Sequence, residues 1–170
     1  MVIITGVRFA GKVDAVPRIG HVATRFFHLY YVPLIPLGTY LVTREGDTDF
    51  AGVALPLSGK SILVGWLRTA AWIGSIVAGV MLFTGLGRAN HNRLILGIFG
   101  LLAAALALWL LYRLKPITHA SYERATDIAQ RIGLSAEQRL MLEVAYGRLN
   151  ADQAERELAR LYEAASKAVG

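Results

Sequence analysis

Side chains that could bind a metal ion or perform acid–base chemistry are few and scattered in this chain of 170 residues. The histidines lie at positions 21, 28, 91 and 119, without the short spacing of a metal-ligating pair. The sequence contains no cysteine, which excludes a thiol nucleophile, a cysteine-ligated iron–sulfur cluster and a disulfide. The sequence therefore predicts no catalytic residue, no metal site and no cofactor.

His28 and the acidic residues of the first sixty positions are the remaining chemical candidates. His28 lies among aromatic residues, where a structural histidine is expected, although a hydrolase that pairs His28 with a nearby carboxylate is an alternative hypothesis. Asp14, Asp47 and Asp49 are placed in glycine-rich turns, where aspartate forms local hydrogen bonds. The run GVRFAGK lacks the G-K-[ST] ending and the following helix of a phosphate loop.

An aromatic segment, TRFFHLYYVPLIPLGTYLV (24–42), stands out next. On a strand its side chains alternate between faces, so both faces of a small sheet would carry large apolar groups. The membrane surface, the carboxy-terminal helices or another subunit is expected to cover one face. Pro33 and Pro36 are expected to end the strand and reverse the chain. The candidate interaction surface comprises Phe26, Phe27, His28, Tyr30 and Tyr31.

Residues 1–60 combine β-branched and aromatic residues with regularly placed glycine and proline, which favours strands and turns. We predict strands near 2–9, 21–32, 39–43 and 51–55, with GKVDAVPRIG connecting the first two and REGDTD preceding the last. These strands would form a β-rich head.

Two blocks, 69–87 and 94–112, each contain 19 residues without a charge, in a chain that is 55% hydrophobic. At about 1.5 Å rise per residue, either block spans roughly the 30 Å hydrocarbon core of a bilayer. Helices buried in a soluble core are the alternative, but they should show a polar stripe, and neither block does. We therefore predict two transmembrane helices within residues 61–115.

The connection RANHNR is so short that the two helices must form an antiparallel hairpin. Basic residues flank the outer ends more than the connection: Lys60, Arg68, Arg113, Lys115 and Arg124 against Arg88 and Arg93. The positive-inside rule then places both termini in the cytoplasm, and a bacterial inner (cytoplasmic) membrane is the expected location.

Small residues recur at helical spacing in both blocks, and such residues let helices approach closely. They are expected either to pack the hairpin on itself or to mediate assembly between chains. The residues are Ala71, Ser75 and Gly79 in the first helix and Gly97, Gly100 and Ala104 in the second.

Residues 116–170 predict a cytoplasmic tail of three helices, with capping patterns at Ser135 and Asn150. The last helix carries a narrow apolar stripe that includes Leu158 and Leu161, which favours helix pairing. Together the three parts define an α+β membrane protein.

Two resemblances concern the head. The run FFHLYYVPLIPLGTYLV resembles the core of small membrane-associated zinc-ribbon proteins, which implies a sheet; the cysteine pairs that bind zinc in that family are missing here. The chain also resembles uncharacterised bacterial two-helix membrane proteins that share GKVD, VATRFFH and PLIP. That similarity implies kinship without a defined activity.

A third resemblance concerns the tail. LMLEVAYGRLNADQAERELARL is similar to the carboxy-terminal helical hairpin called SHOCT, and Leu142, Gly147, Leu149, Asn150, Glu155, Leu158 and Leu161 fit its spacing. Ala154 and Glu157 depart from the pattern. The resemblance implies an oligomerising or partner-binding tail.

Charge limits the partners. The net charge is +6. Residues 1–60 hold six basic and four acidic side chains, and residues 113–170 hold nine basic and eight acidic side chains. No part outside the apolar blocks is strongly basic, so anionic lipid rather than nucleic acid is the expected partner of the excess charge. The expected function is a non-enzymatic membrane-anchored structural or interaction protein, a homo-oligomer; the alternative is an accessory subunit of a larger membrane enzyme or transport complex.

Overall fold

A computed structural model describes residues 5–45, 50–88 and 90–169. These residues form four strands followed by six helices, which confirms an α+β chain with an antiparallel sheet. The chain divides into two compact units, residues 1–120 and 121–170. The predicted domain boundaries at residues 60 and 115 stay predictions.

The sheet is a simple meander of antiparallel strands in the order β1-β2-β3-β4. Its strands are β1 (Thr5–Val16), β2 (Gly20–Leu29), β3 (Val32–Glu45) and β4 (Phe50–Leu55). β1 and β3 are longer than predicted, because the segment GKVDAV continues β1 instead of connecting it to β2. Part of the predicted REGDTD turn, residues 46–49, lies outside the described residues.

The position of the chain reversal was predicted wrongly. β2 ends at Leu29, and Tyr30 and Tyr31, with φ of 48° and 67°, form a two-residue turn into β3. Positive φ at both central residues is typical of the hairpin turn that matches the twist of its strands. Non-glycine residues rarely adopt that conformation, so aromatic side chains gave no signal for it.

Pro33 and Pro36 lie inside β3 instead of ending a strand. His28 is opposite Pro33 and Phe26 is opposite Pro36, and the register shifts beside each pair. A bulge places one extra residue in a strand and interrupts the regular hydrogen bonding, which is how a strand tolerates proline.

Helix α1 (Gly59–Gly87) starts ten residues before the apolar block. Ser58 caps it by accepting a hydrogen bond from the Ser61 backbone N–H at 3.3 Å. At about 1.5 Å per residue the helix is about 43 Å long, so its first turns extend beyond a segment of bilayer length.

The first turns of α1 cover one face of the sheet. The sequence led us to expect the membrane surface, the carboxy-terminal helices or another subunit in that position, and this expectation is corrected. Phe26, with 0% exposure, packs near Gly65, where an added Cβ would lie 3.3 Å from the Phe26 ring. Other fully buried side chains of the sheet and of the start of α1 are Val13, Val22, Thr24, Thr39, Leu41 and Ser61. Elsewhere on the sheet, Phe9, Tyr40 and Phe50 form an edge-to-face ring cluster with centroids 4.8 to 5.8 Å apart.

Helix α2 (His91–Arg113) begins at Asn90, whose side chain accepts from the Arg93 N–H at 3.1 Å. It packs against α1 through its small residues. A Cβ on Gly97 would lie 2.6 Å from the Leu82 nitrogen, and one on Gly100 would lie 2.8 Å from the Ala78 Cβ. A short helix, α3 (Lys115–Thr118), follows, and the Ala120 N–H donates to the Ala15 carbonyl at 3.2 Å.

The second unit contains α4 (Tyr122–Arg131), α5 (Ala136–Ala145) and α6 (Ala151–Val169). Gly133 and Gly147, with φ of 66° and 68°, end the first two of these helices. Ser135 and Gln138 form a reciprocal capping box. The rings of Tyr122 and Tyr146 pack with centroids 5.7 Å apart.

Candidate interaction surface

A buried hydrogen-bond network joins the sheet to α1 and fixes their relative position. Thr24 Oγ1 lies 3.0 Å from Thr39 Oγ1 and donates to Ser61 Oγ at 2.9 Å. Ser61 Oγ in turn donates to the Gly11 carbonyl at 2.7 Å, and the Ser58 N–H donates to Thr39 Oγ1 at 3.0 Å. Because these groups are buried, breaking one bond leaves a polar atom unpaired in a low-dielectric interior.

Contacts along β1 show which end of the sheet lies toward the apolar part of α1. Asp14 forms an ion pair with Lys60, and Gly11 accepts from Ser61. Residues earlier in β1, Phe9–Lys12, share a cavity with Arg68 and Trp72. Residues earlier in β1 therefore lie beside residues later in α1.

The same direction brings the turn between β2 and β3 toward the apolar block of α1. Thr5, at the start of β1, is opposite Leu29, the last residue before the turn. Trp66 Nε1 donates to the Pro33 carbonyl at 3.1 Å, which ties the segment after the turn to α1 one turn before the block begins.

This end of the sheet carries several exposed apolar side chains, which we call the hairpin tip. Tyr31 is 62% exposed and Ile35 is 57% exposed. Leu34 and Leu37 are the residues left without a register partner at the two bulges, and both are exposed. The hairpin tip comprises Tyr30, Tyr31, Leu34, Ile35 and Leu37.

The predicted surface residues divide between this tip and the interior. Tyr30 and Tyr31 belong to the hairpin tip, whereas Phe26 is enclosed by its own chain and Phe27 is half-buried. Sequence reasoning missed Leu34, Ile35 and Leu37 because it placed them within a buried proline turn. Their signal was the density of large apolar residues between and directly after two prolines.

His28 lies just behind the tip and is 8% exposed. Burial lowers the pKa of His28 from its ordinary value of 6.5, and the positive charge of Arg8 lowers it further, against the opposing effect of hydrogen bonds to the backbone of Gly6 and Phe26. Arg8 itself lies over the Tyr31 ring, 5.2 Å from the centroid. His28 is therefore neutral near pH 7 and packs as part of the sheet.

The small residues of the two long helices take different positions. In α2, Gly97 and Ala104 are buried and Gly100 is half-buried, as a close approach to α1 requires. In α1, Ala71, Ser75 and Gly79 are half-buried, and a Cβ on Gly79 would meet nothing within 4 Å. Ala78, not Gly79, is the residue that contacts Gly100.

In the tail unit, α6 presents Leu158 half-buried and Leu161 exposed, with Tyr162 also exposed beside it. Tyr162 Oη lies 3.5 Å from Glu137 Oε2 of α5.

Within the described part of the chain, no group of three or more His, Asp and Glu side chains is placed to bind a metal ion. His21 and His28 lie on the same strand, β2, His119 directly follows α3, and Asp14 forms an ion pair with Lys60.

Helices α1 and α2 are long and apolar enough to cross a membrane, and they are mostly exposed within the chain. Only 11% of the most apolar window of α1 and 17% of that of α2 are buried. A core helix of a soluble protein would be mostly buried, so the two helices support membrane association.

Comparisons of the chain with models of known protein families, with curated proteins and with solved structures found no match.

Proposed function

We propose that the protein is a membrane-anchored interaction protein. In this proposal α1 and α2 cross a bacterial inner membrane as a hairpin, both termini are cytoplasmic, and the sheet and the tail lie at the cytoplasmic face. The protein self-associates there, and its role is to hold binding surfaces at the membrane rather than to carry out a reaction.

One observation carries the proposal: α1 is a single helix that completes the core of the sheet and continues into an apolar, exposed surface. Ser61 and Val64 are buried against the sheet, whereas Ile76, Val80 and Phe83 are exposed on the same helix. An exposed surface of this kind is stable in a bilayer and would aggregate in water.

The hairpin tip supports the same arrangement. The start of β1 lies beside the later turns of α1, and the start of β1 is paired with the end of β2, next to the tip. Together with the hydrogen bond between Trp66 and Pro33, this places the tip at the level at which the apolar block begins. Tyrosine and tryptophan rings favour the headgroup layer, where the ring is apolar and the polar group is hydrated. The tip would therefore be partly immersed in the cytoplasmic leaflet.

Self-association is assigned to the tail, because the exposed Leu161 and Tyr162 extend the apolar stripe of α6. A helix with a narrow apolar stripe typically buries it against another helix. The resemblance of this segment to a SHOCT hairpin supports the same role.

Insertion and topology are tested by single-cysteine labelling, for which this cysteine-free chain is well suited. Asn92→Cys lies at the start of α2 and Glu155→Cys lies on α6, and both residues are exposed. In intact spheroplasts, an impermeant maleimide should label Asn92→Cys and spare Glu155→Cys until the membrane is opened. Labelling of Glu155→Cys alone would reverse the topology, and extraction of the chain by alkaline carbonate would refute insertion.

Assembly is tested by light scattering in mild detergent, corrected for bound detergent. A defined multiple of the 18.5 kDa chain is expected, and a chain that ends after Pro116 should be monomeric. A monomeric full chain that co-purifies from native membranes with larger subunits would favour the accessory-subunit hypothesis. An unchanged oligomer after truncation would remove the tail from the assembly mechanism.

A further inference from the structure

A cavity of about 400 Å³ lies where β1 passes α1 and the end of α2. Backbone and side chains of Phe9–Lys12 form one wall, and α1 supplies Gly65, Arg68, Thr69 and Trp72. Tyr112 closes the cavity from α2. We propose that this basic cavity binds the phosphodiester headgroup of an anionic phospholipid, a proposal that rests on the membrane hairpin proposed above.

The charge of the lining selects an anion. Lys12 and Arg68 both line the cavity, and its described lining residues include no aspartate or glutamate. The nearest acidic residue of β1, Asp14, is engaged with Lys60. Arg68 and Lys12 make the described lining positively charged, which favours an anion.

Arg68 is held in a fixed position for such a ligand. Its Nη2 donates to the Leu111 carbonyl at 2.8 Å, and its guanidinium carbon lies 4.2 Å from the centroid of the Tyr112 ring. Its Nε is buried and has no hydrogen-bond partner among the described residues. The planar guanidinium belongs to a residue that lines the cavity, and its geometry suits a phosphate oxygen.

The depth of the cavity favours a lipid phosphate over a soluble one. Arg68 directly precedes the first uncharged block, and Tyr112 ends the second. Phospholipid phosphates occupy this level of a bilayer, where tryptophan and tyrosine rings also concentrate. Trp72, which lines the cavity, and Ile76 are 56% and 65% exposed, so an acyl chain can lie against α1 directly beyond the cavity.

Quenching of tryptophan fluorescence by brominated lipids tests the site, because Trp72 is one of its walls. The full chain in mild detergent is titrated with dibrominated phosphatidylglycerol and, separately, with dibrominated phosphatidylcholine. The wild type should prefer phosphatidylglycerol, and Lys12→Gln/Arg68→Gln should lose about 25-fold of that preference, at about fivefold per cation.

The matched control is Arg113→Gln/Lys115→Gln, which removes the same charge from exposed residues that do not line the cavity. Lys12→Gln alone guards against misfolding, because Lys12 is exposed and the contacts of Arg68 remain; it should lose about fivefold. Arg68→Lys should recover only part of the preference, since an ammonium lacks the planar fork.

Each failure has a distinct meaning. Equal preference for phosphatidylglycerol in the wild type, Lys12→Gln and Lys12→Gln/Arg68→Gln would overturn the site while leaving the hairpin intact. Displacement of the lipid by millimolar inorganic phosphate from the wild type would overturn the lipid assignment in favour of a soluble phosphate. A wild type that fails to float with phosphatidylglycerol vesicles would refute the hairpin itself.

Discussion

Gly11 is the position at which the contact between the sheet and α1 can be tested most sharply. Its φ is +66°, and a Cβ added there would lie 1.8 Å from the Ser61 carbonyl oxygen. Gly11→Ala must therefore displace the backbone of α1 or of β1. Either movement breaks the hydrogen bond from Ser61 Oγ to the Gly11 carbonyl.

The expected cost has two parts. A left-handed conformation costs alanine about 1–2 kcal/mol. A buried polar group that loses its partner adds about 1–3 kcal/mol. The sum, about 2–5 kcal/mol, is a large share of the stability of about 5–15 kcal/mol that a domain possesses.

Two glycines serve as matched controls. Gly6 lies in the same strand, with no positive φ and nothing within 4 Å, so Gly6→Ala should change the free energy of unfolding by less than about 0.5 kcal/mol. Gly133 has the same φ of +66° but open space around it. Gly133→Ala should therefore cost the tail only the conformational term of about 1–2 kcal/mol.

Pulse proteolysis in urea, applied to the full chain in detergent micelles, gives the assay. Mass spectrometry of the fragments separates cleavage in residues 5–45 from cleavage in the tail. The midpoint for Gly11→Ala should fall well below those of the wild type and of Gly6→Ala. Equal midpoints for Gly11→Ala and Gly6→Ala would refute the close contact between β1 and α1.

Three further predictions concern the head. Thr24→Val removes the hydroxyl that links Thr39 to Ser61 and should lower the free energy of unfolding in urea by about 1–3 kcal/mol. Thr43→Val, at an exposed residue, should change it by less than about 0.5 kcal/mol. Equal effects of the two substitutions would argue against the network. Because burial lowers the pKa of His28 below 6.5 in the folded chain, the unfolded chain binds more protons than the folded chain as the pH falls below 6.5. The contribution of His28 to the stability of the head should therefore be complete above pH 6.5 and should decrease as the pH drops toward the folded-state pKa. His28→Asn should flatten that fall in urea midpoints measured across the range, and an unchanged slope would contradict the assignment. Tyr30→Asn/Tyr31→Gly places residues that tolerate positive φ at both turn positions and should stabilise the head by about 1–2 kcal/mol. The same variant should lose part of the protection that vesicles give the tip against a soluble tyrosine-modifying reagent or quencher. A destabilised head would refute the strained turn.

The sequence predicts those features that depend on composition over a long window. Two uncharged blocks of bilayer length identify α1 and α2 because a single charged residue in either would have weakened the signal. The antiparallel sheet follows from the density of β-branched, aromatic and turn residues. The capping box at Ser135 follows from a local pattern of four residues that needs no tertiary information.

Features that depend on tertiary contacts were missed. The early start of α1 was missed because Lys60 and Arg68 lie outside the uncharged block, although residues 62–67 between them are apolar and Ser58 provides a cap. The turn at Tyr30 and Tyr31 has positive φ at both central residues, a type that favours asparagine and glycine over tyrosine. The bulges that allow Pro33 and Pro36 inside β3 depend on how β3 pairs with β2. Lys12 and Arg68 are far apart in the sequence, so only the packing of β1 on α1 brings them to one cavity.

The continuity of α1 also has a consequence for biosynthesis. The strands leave the ribosome first, but the core around Phe26 and Thr24 lacks Ser61, Val64 and Gly65 until α1 follows. Since domains generally fold as complete units during synthesis, the nascent strands must wait, with Phe26 and Leu41 uncovered, until the first turns of α1 have been made. In the proposed membrane hairpin, folding of the head would therefore be coupled to insertion of α1, and a chain stalled before residue 65 would expose an aggregation-prone sheet.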